Sequence, residues 1–310
     1  MNEFDLINRL TDSLPSNSSV VVGPGDDCAV LESGLPNRYL LFKTDAVVEG
    51  IHFIAEAAPE QIGHKALARC LSDIAAMGGK ATAALVTIAL PTKFKPEFVE
   101  KVYAGINGLA ARHGVAIVGG ETTTCPERML ISIALLGEVD KKRCVLRSGA
   151  KDGDALFVTG ELGGSRASKH LDFEPRLVEA QWLTDHFSIH AMIDISDGLA
   201  GDLRHILRQS EVGAELLERA IPISRSAKLQ ARAESDAKPP LLAALTDGED
   251  FELLFAVAGK DAVPLLDGWK AAFPKLRLSC IGKVTASRGL RLRDKTGVHK
   301  LEAHGYVHFA

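Results

Sequence analysis

The sequence predicts an α+β protein built from two domains. The chain has 310 residues, more than one typical domain, and 46% of them are hydrophobic, which suffices for a full core. In the first half, the apolar and amphipathic stretches follow the order strand, strand, helix, strand, helix, strand, strand, which suits one mixed sheet. A charged, glycine-rich stretch at 140–153 marks the crossing between domains, so we divide the chain into 1–139 and 140–310.

Charge and hydropathy exclude several classes of protein. The net charge is −4, so the chain lacks the basic footprint of a nucleic-acid-binding protein. The first ten residues carry two acids and lack the apolar core of a signal peptide. The longest apolar runs fall far short of the ~20 residues that span a bilayer. We therefore expect a cytoplasmic protein with neither nucleic acid nor a membrane as its partner.

Two adjacent aspartates follow the first predicted strand. The strand Val20–Val22 runs into a Gly-Pro-Gly turn that ends in Asp26 and Asp27. Neighbouring like charges repel, and clustered carboxylate oxygens suit a hard cation such as Mg²⁺. The alternative interpretation is a solvated turn, which is common for isolated Asp-Asp pairs.

A second carboxylate follows the strand Arg38–Phe42. Thr44 and Asp45 stand at its predicted end, where Thr44 can offer an oxygen beside the acid, although such a pair also caps turns and helices. His52 comes next between two apolar residues. It is either a hydrogen-bonded strand histidine or a contact to a phosphate or substrate.

The clearest helix spans 61–79, because apolar residues recur at every fourth position. At 100° per residue Asp73 falls inside the apolar arc, whereas Lys65 and Ser72 point the other way. A carboxylate on a buried face is costly unless a partner neutralises it. Asp73 is therefore a predicted site residue, with a structural ion pair as the alternative.

A further acid follows the strand Val115–Val118. Gly119 and Gly120 precede Glu121 at a predicted turn, and a glycine pair allows backbone amides to meet phosphate oxygens. The strand Met129–Gly137 then closes the first half.

The second half adds an arginine and two more aspartates. Arg147 lies in the charged linker, where its planar fork suits a phosphate but simple solvation is an equal alternative. Asp194 and Asp197 flank Ser196 on a turn between a strand and a helix. This pattern indicates metal or nucleotide binding, with helix capping as the alternative.

Two more positions stand near the end of the chain. Glu249 belongs to an acidic turn before the strand FELLFAV, where capping explains each acid taken singly. Tyr306 can stack on a ring or anchor the tail.

Together these patterns favour a cation-dependent reaction on a polyanion. Several Mg²⁺ ions gathered on the acids can neutralise a triphosphate and hold donor and acceptor in line, which is most of what phosphoryl transfer needs. No Walker-type loop and no protein-kinase motif set occurs, so metals and glycine backbones must hold the nucleotide. The acids concerned are Asp26, Asp27, Asp45, Asp73, Glu121, Asp194 and Asp197.

These motifs resemble the thiamine-monophosphate kinase family, of the superfamily that includes aminoimidazole ribonucleotide synthetase. The resemblance covers nearly the whole chain in order, through GPGDDCAV, KTDAVVEGIHF, CLSDIAAMGG, VGGETT, LRSGAKDGD, MIDISDGL, DGEDFELLF and a final GYVHF. It implies ATP-dependent phosphorylation of thiamine monophosphate to thiamine diphosphate by direct in-line transfer with several Mg²⁺ ions. It also implies the aminoimidazole ribonucleotide synthetase-like fold, with a mixed N-terminal sheet that pairs across a homodimer and a C-terminal α/β sandwich domain.

The resemblance assigns roles to single residues. The metal ligands it implies are Asp27, Thr44, Asp45, Asp73, Asp194 and Asp197. Asp26 is in the position next to Asp27 in its motif, and Glu121 is in a position where the family usually has Asp. Among the implied ligands, Asp45, Asp73 and Asp197 are expected to be catalytic. The implied ATP contacts are Gly120, Glu121, Arg147 and Ser196. The implied contacts to thiamine monophosphate are His52, Glu249 and Tyr306.

Three positions depart from the family pattern. Glu121 stands where Asp is usual, Thr124 where Arg is usual, and Lys43 where a small hydroxyl residue is common. An inward-pointing Lys43 ammonium competes with a metal ion. The alternatives are therefore another ATP-dependent enzyme of the superfamily, or a catalytically silent homologue that binds metal and nucleotide.

Overall fold

The computed structural model describes residues 3–167, 169–234, 236–303 and 305–306, so the last three positions of the GYVHF motif lie outside the described residues. Its first half contains three helices and six strands. In chain order they are α1 (Glu3–Thr11), β1 (Val20–Val22), β2 (Ala29–Glu32), β3 (Arg38–Val48), α2 (Pro59–Ala76), β4 (Lys80–Leu90), α3 (Pro96–His113), β5 (Ala116–Thr124) and β6 (Leu130–Asp140).

The six strands form one mixed sheet in the order β1-β2-β3-β6-β4-β5. All neighbours pair antiparallel except β4 and β5, which run parallel because α3 connects them. The prediction of one mixed sheet in the first half is confirmed. The helices α2 and α3 pack together, and α2 also lies against the sheet.

The second half has a sheet of its own. Its elements are β7 (Ala155–Thr159), α4 (Leu177–His186), β8 (Ile189–Asp194), α5 (Leu199–Gln209), β9 (Gly213–Leu217), α6 (Arg225–Ala233), α7 (Pro240–Thr246), β10 (Leu253–Val257), α8 (Ala262–Ala272), β11 (Leu278–Thr285), β12 (Gly289–Arg293) and β13 (Val298–Lys300). The strands follow the order β13-β12-β9-β11-β7-β10-β8. With two such units of helices and sheets, the α+β prediction is confirmed, while the boundary between 139 and 140 stays a proposal.

The helix α2 lies between the two halves. One side packs on β3 and β6 of the first sheet, and another side contacts α4 and β8 of the second half. The side expected to point away from the core is consequently buried as well, since Lys65 and Ser72 are each only 1% exposed. The pattern of apolar residues does not reveal the second contact in full, because polar side chains such as Ser72, which donates to Asp194, also take part in it.

Two strands run further than the sequence predicts. Asp45 was expected at a strand end, but β3 continues to Val48 and pairs with β6 along its whole length. Glu121 was expected in a turn, but β5 continues to Thr124 beside β4. These two predictions are wrong because ladder hydrogen bonds from a neighbouring strand stabilise segments whose glycines and threonines alone resemble a turn.

The larger apolar core is continuous across both halves. It joins α2, α3 and the inner face of the first sheet to residues of the second half such as Phe157, Phe255 and Trp269. A second cluster fills the other face of the second sheet, against α5 and α7. In the described ranges, no helix combines the length and the apolar character needed to cross a bilayer.

Candidate active site

Three buried carboxylates meet where α2 faces the second half. Asp27 precedes β2, Asp73 lies in the last turn of α2, and Asp194 ends β8. One carboxylate oxygen from each lies within 4.8 Å of the others, and the residues are between 1% and 6% exposed. We call Asp27, Asp73 and Asp194 the carboxylate cluster. The structure thus brings together three of the residues that were predicted separately as metal ligands.

The donor set of the carboxylate cluster fits a hard divalent cation. All three groups offer carboxylate oxygens, which Mg²⁺ prefers. Among the described residues, the buried Oδ2 atom of Asp27 finds no hydrogen-bond partner, so one acceptor is left for a ligand. Burial and the charge of Asp27 raise the pKa of Asp194 to about 6, and burial raises that of Asp73 as well. A bound cation relieves both costs.

Each member of the cluster already has one polar partner. Arg147 donates from Nη2 to Asp27 over 2.6 Å, and the Lys43 ammonium donates to Oδ1 of Asp73 over 2.9 Å. The hydroxyl of Ser72 donates to Asp194 over 2.6 Å. Two of these partners, Arg147 and Lys43, are positively charged. A metal ion that binds the cluster therefore lies beside two protein cations.

Asp26 lies beside the cluster rather than in it. Its carboxylate accepts the backbone N–H of Arg147, with Oδ2 at 3.1 Å, and the backbone N–H of Asp27 at 3.0 Å. Burial and the neighbouring charge of Asp27 raise the pKa of Asp26 to about 6. Asp26 therefore fixes the linker arginine relative to the first Asp-Asp turn.

Asp45 is held by an arginine that the sequence analysis did not select. Arg69 on α2 donates from Nε to Oδ2 of Asp45 over 2.8 Å, and its Nη1 lies 3.6 Å from Glu249. Arg69 thereby connects β3 to the acidic turn of the second half. Its position one helical turn after Lys65 was a usable signal, because two basic residues four apart share one helix face.

Lys65 and Glu249 form an ion pair inside the protein. The Lys65 ammonium also donates to the carbonyl oxygen of His52 over 2.7 Å, and its Nζ lies 2.9 Å from Nδ1 of His170. Burial lowers the pKa of Lys65 to about 8. Although burial alone raises the pKa of Glu249, its hydrogen bond to His170 and the charges of Lys65 and Arg69 lower it to about 2.

Two cavities adjoin at residues 196 and 197. The first has a volume of only about 30 Å³, and its lining includes His52, Ser196, Asp197, Glu249 and Tyr306. The second, of about 330 Å³, is lined in part by Asp26, Arg147, Ser196, Asp197 and Asp202. All three predicted contacts to thiamine monophosphate line the first cavity, and two of the predicted ATP contacts line the second. Ser196 and Asp197 line both.

Backbone contacts position Asp197 and Tyr306. The carbonyl oxygen of Asp197 accepts the N–H of Tyr306 over 2.8 Å, so the tail reaches the turn between β8 and α5. Asp202 accepts the N–H groups of Asp197 and Gly198 and holds that turn. The guanidinium of Arg166 lies 5.4 Å from the centre of the Tyr306 ring, at the edge of the first cavity.

His52 presents a neutral ring to the first cavity. Its Nδ1 accepts the backbone N–H of Val48 over 3.0 Å. Burial and the charge of Arg69 lower the pKa of His52 to about 4. The imidazole is therefore uncharged at neutral pH and binds through hydrogen bonds rather than through a positive charge.

Three predicted site residues lie apart from the cluster. Thr44 and Glu121 share the outer face of the first sheet, opposite to Asp45, as the register of β3, β6, β4 and β5 requires. The Thr44 hydroxyl lies 3.4 Å from that of Ser132 on the same face. Gly120 and Glu121 are exposed on the edge strand β5, which β6 and β4 separate from β3. Within one chain, their predicted roles stay predictions.

Comparisons with known proteins agree with this fold. The chain matches the sequence models described as "AIR synthase related protein, N-terminal domain" over residues 25–139 and "AIR synthase related protein, C-terminal domain" over residues 151–295. The fold and the site thus define an AIR synthase related protein. The chain is 41% identical to a thiamine-monophosphate kinase of Rhodopirellula baltica, over 93% of this chain and 92% of the relative. It belongs to the thiamine-monophosphate kinase family.

Two further similarities cover almost the entire chain. The thiamine-monophosphate kinase of Bacillus subtilis is 34% identical over 100% of both chains. A solved structure described as AaThiL complexed with AMPPCP and TMP matches with a TM-score of 0.82 and 31% identity, over 99% of this chain and 97% of that one.

Proposed function

We propose that this chain transfers the γ-phosphoryl group of ATP directly and in line to the phosphate of thiamine monophosphate, forming thiamine diphosphate and ADP with several Mg²⁺ ions bound. The observation that carries the proposal is the pair of adjoining cavities, which share Ser196 and Asp197 and lie beside a carboxylate cluster. A kinase of this type needs two neighbouring anion sites and positive charge between them. The related structure complexed with AMPPCP and TMP supports the proposed pair of substrates.

The larger cavity is the proposed nucleotide site. Arg147 and Ser196 line it, and a guanidinium binds phosphate oxygens through two parallel hydrogen bonds. Arg147 is oriented from both sides, because Asp26 holds its backbone N–H and Asp27 holds its side chain. Its direction is thus fixed before the nucleotide binds, which reduces the entropy lost on binding.

The smaller cavity is the proposed site of thiamine monophosphate. Glu249 stays ionised in it because Lys65 and Arg69 stabilise the carboxylate, and a negative charge suits the thiazolium ring. The neutral His52 offers a hydrogen bond, and Tyr306 offers an aromatic face. With a volume of about 30 Å³, the cavity must widen before the substrate enters.

Divalent ions are proposed to bind at the carboxylate cluster, chiefly through Asp27 and Asp194, with Asp45, Asp73 and Asp197 beside them. When bound, Mg²⁺ neutralises charge on the triphosphate and on the transferred group. The protein residues hold the two reacting phosphates in line and keep water out. Asp45, Asp73 and Asp197 are the proposed catalytic acids.

The test is chromatographic. The purified chain is incubated with ATP, Mg²⁺ and thiamine monophosphate, and thiamine diphosphate and ADP are quantified. We expect equal amounts of both products in the wild type, and at least about a hundredfold slower formation in Asp194→Asn, which weakens the cluster. The exposed Asp267→Asn on α8 serves as the control and should keep full activity.

Two results contradict the proposal. ATP consumption without thiamine diphosphate indicates a different acceptor, hence another enzyme of the superfamily. Nucleotide binding without any turnover indicates a catalytically silent homologue.

We also propose that two chains form a homodimer through the outer face of the first sheet. That face exposes large apolar side chains on neighbouring strands: Phe42 is 47% exposed, Leu85 47% and Leu136 38%. An apolar sheet face of this kind is unfavourable in water and is typical of an interface. The Phe42 and Leu136 positions lie directly opposite each other on β3 and β6, so the patch is contiguous.

A further inference from the structure

Lys43 brings a positive charge into the carboxylate cluster from the first sheet. Its side chain is on the inner face of β3 and is 23% exposed, and its Nζ lies 2.9 Å from Oδ1 of Asp73. The Asp73 side chain itself is 9% exposed. A contact of this length between charged groups, largely out of water, is strong and directional. The ammonium thus takes one of the positions around Asp73 from which a cation can bind.

The charges around the cluster limit how many divalent ions it needs. Its three carboxylates face two cations, Lys43 on Asp73 and Arg147 on Asp27, so one net negative charge remains. The neighbouring Asp45 is paired with Arg69. Asp194 accepts a hydrogen bond from the uncharged hydroxyl of Ser72, and Asp27 has an acceptor atom without a partner among the described residues.

We propose that Lys43 is a tethered cation that takes the place of one divalent ion at Asp73, so that the cluster binds metal from the side of Asp27 and Asp194. This inference deepens the proposed function, because it concerns the metal site of the same reaction. Lys43 remains on Asp73 when metal binds, since its departure leaves a buried carboxylate to be neutralised by another ion. The arrangement fixes one positive charge at the site at every Mg²⁺ concentration.

The first test titrates the purified chain with Mn²⁺ alone and measures free Mn²⁺ by electron paramagnetic resonance. Lys43→Met removes the charge at nearly constant volume. It should bind an additional Mn²⁺ ion, or bind Mn²⁺ about tenfold more tightly than the wild type, since a repelling charge next to the ion is gone. Lys43→Arg keeps the charge and Lys80→Met removes an exposed lysine at the start of β4, and both should titrate like the wild type.

A second variant covers the case in which Lys43→Met does not fold, because it leaves Asp73 buried without its cation. The double variant Lys43→Met with Asp73→Asn removes both charges together. If Lys43 stays on Asp73, the double variant keeps the Mn²⁺ affinity of the wild type within about threefold. If Lys43 swings away and Asp73 binds the ion instead, the double variant binds Mn²⁺ at least about tenfold more weakly, and the proposal is overturned.

The outcomes separate this inference from the proposed function. Identical Mn²⁺ titrations for the wild type and Lys43→Met overturn the inference, whatever the activity. If Lys43→Met changes Mn²⁺ binding but the wild type forms no thiamine diphosphate, the result supports the inference and contradicts the proposed kinase activity. Absence of Mn²⁺ binding in the wild type and in Lys43→Met overturns the inference and removes the metal from the proposed site.

Discussion

Lys65 shows how strongly a single buried charge can depend on its partner. Its side chain is 1% exposed, and its ion pair with Glu249 lies at the contact between α2 and the second half. Among the described residues, Lys65→Met leaves Glu249 with Arg69 and His170 as its basic partners, so we expect the free energy of unfolding to fall by about 3–5 kcal/mol. Urea denaturation followed by circular dichroism measures the change.

A double variant provides the control for Lys65. Lys65→Met with Glu249→Gln removes both charges, so it should recover part of the lost stability. Wild-type stability of Lys65→Met would falsify the idea that this ion pair holds the two halves together.

Glu252 makes stability depend on pH. Burial alone raises its pKa, but the charge of Lys169 and the hydrogen bonds from Arg176 lower it from 4.5 to about 2. A carboxyl group whose pKa is lowered by folding stabilises the protein above the unfolded pKa, and this contribution is lost as the pH falls from about 4.5 towards 2. Glu252→Gln should therefore lose on the order of 3 kcal/mol at pH 7 and unfold less steeply with acid.

Thermal melting between pH 7 and pH 2 tests the role of Glu252. Glu100→Gln, an exposed glutamate on α3, is the matched control and should follow the wild-type curve. Parallel acid curves for Glu252→Gln and the wild type contradict the prediction.

Single residues also show what the sequence can and cannot reveal. Asp73 was predicted correctly as a buried acid, because its position follows from the period of one helix. The sequence analysis did not identify the roles of Lys65, Arg69 and Ser72. Each of them is paired with a carboxylate distant along the chain, and no local pattern specifies which acid will face it. The apolar period of a helix is a local property of the sequence, whereas contacts between the halves depend on the whole fold.

At the scale of elements, α2 and α3 pack closely because two glycines face backbone atoms. A side chain at Gly63 on α2 would meet the carbonyl group of Val102, and one at Gly105 on α3 would meet that of Glu60. Gly63→Ala should therefore push the helices apart and lower the free energy of unfolding by about 1–3 kcal/mol. Because α2 carries Lys65, Arg69 and Asp73, the proposed activity should fall with it.

A glycine in the same pair of helices offers the control. A methyl group at Gly108 on α3 would have no neighbouring atom within 4 Å. Gly108→Ala should stabilise the chain by about 0.5–1 kcal/mol, since alanine loses less entropy than glycine in a helix. Urea denaturation of both variants gives the comparison, and equal effects at the two positions contradict the packing argument.

Strand length was the harder property to predict. The pattern located most strands of the first sheet, yet β3 and β5 continue through segments that resemble turns. Their extension depends on β6 and β4, whose pairing partners are unknown before the topology is known. This error also affected the predicted site, because the sequence analysis placed Glu121 in a phosphate-binding turn, whereas the structure places it on an exposed face of the sheet.

At the scale of the whole molecule, the exposed outer face of the first sheet predicts a dimer. Leu136→Lys places a charge in the centre of that face and should convert the dimer to a monomer, as light scattering after gel filtration will show. Leu266→Lys on α8 is the control, because the two leucines are 38% and 36% exposed. A wild type that elutes as a monomer, or a Leu136→Lys variant that stays dimeric, contradicts this interface.

The outer face also carries Glu121, on the side of the sheet opposite to Asp45. If Glu121 serves the proposed reaction, as its motif implies, it must reach the site of the other chain in a dimer. Complementation tests this. We expect the Asp194→Asn variant and the Glu121→Gln variant each to be inactive alone. The two purified variants are then mixed under conditions that allow dimers to exchange subunits.

The two geometries give different activities for the mixture. If Glu121 acts on the other chain, each mixed dimer contains one site with both defects and one site with none. Half of the dimers are mixed at equal concentrations, so about one quarter of the wild-type activity returns. If Glu121 acts within its own chain, every site retains a defect and the mixture stays inactive. Full activity of Glu121→Gln alone shows instead that this glutamate has no part in the reaction.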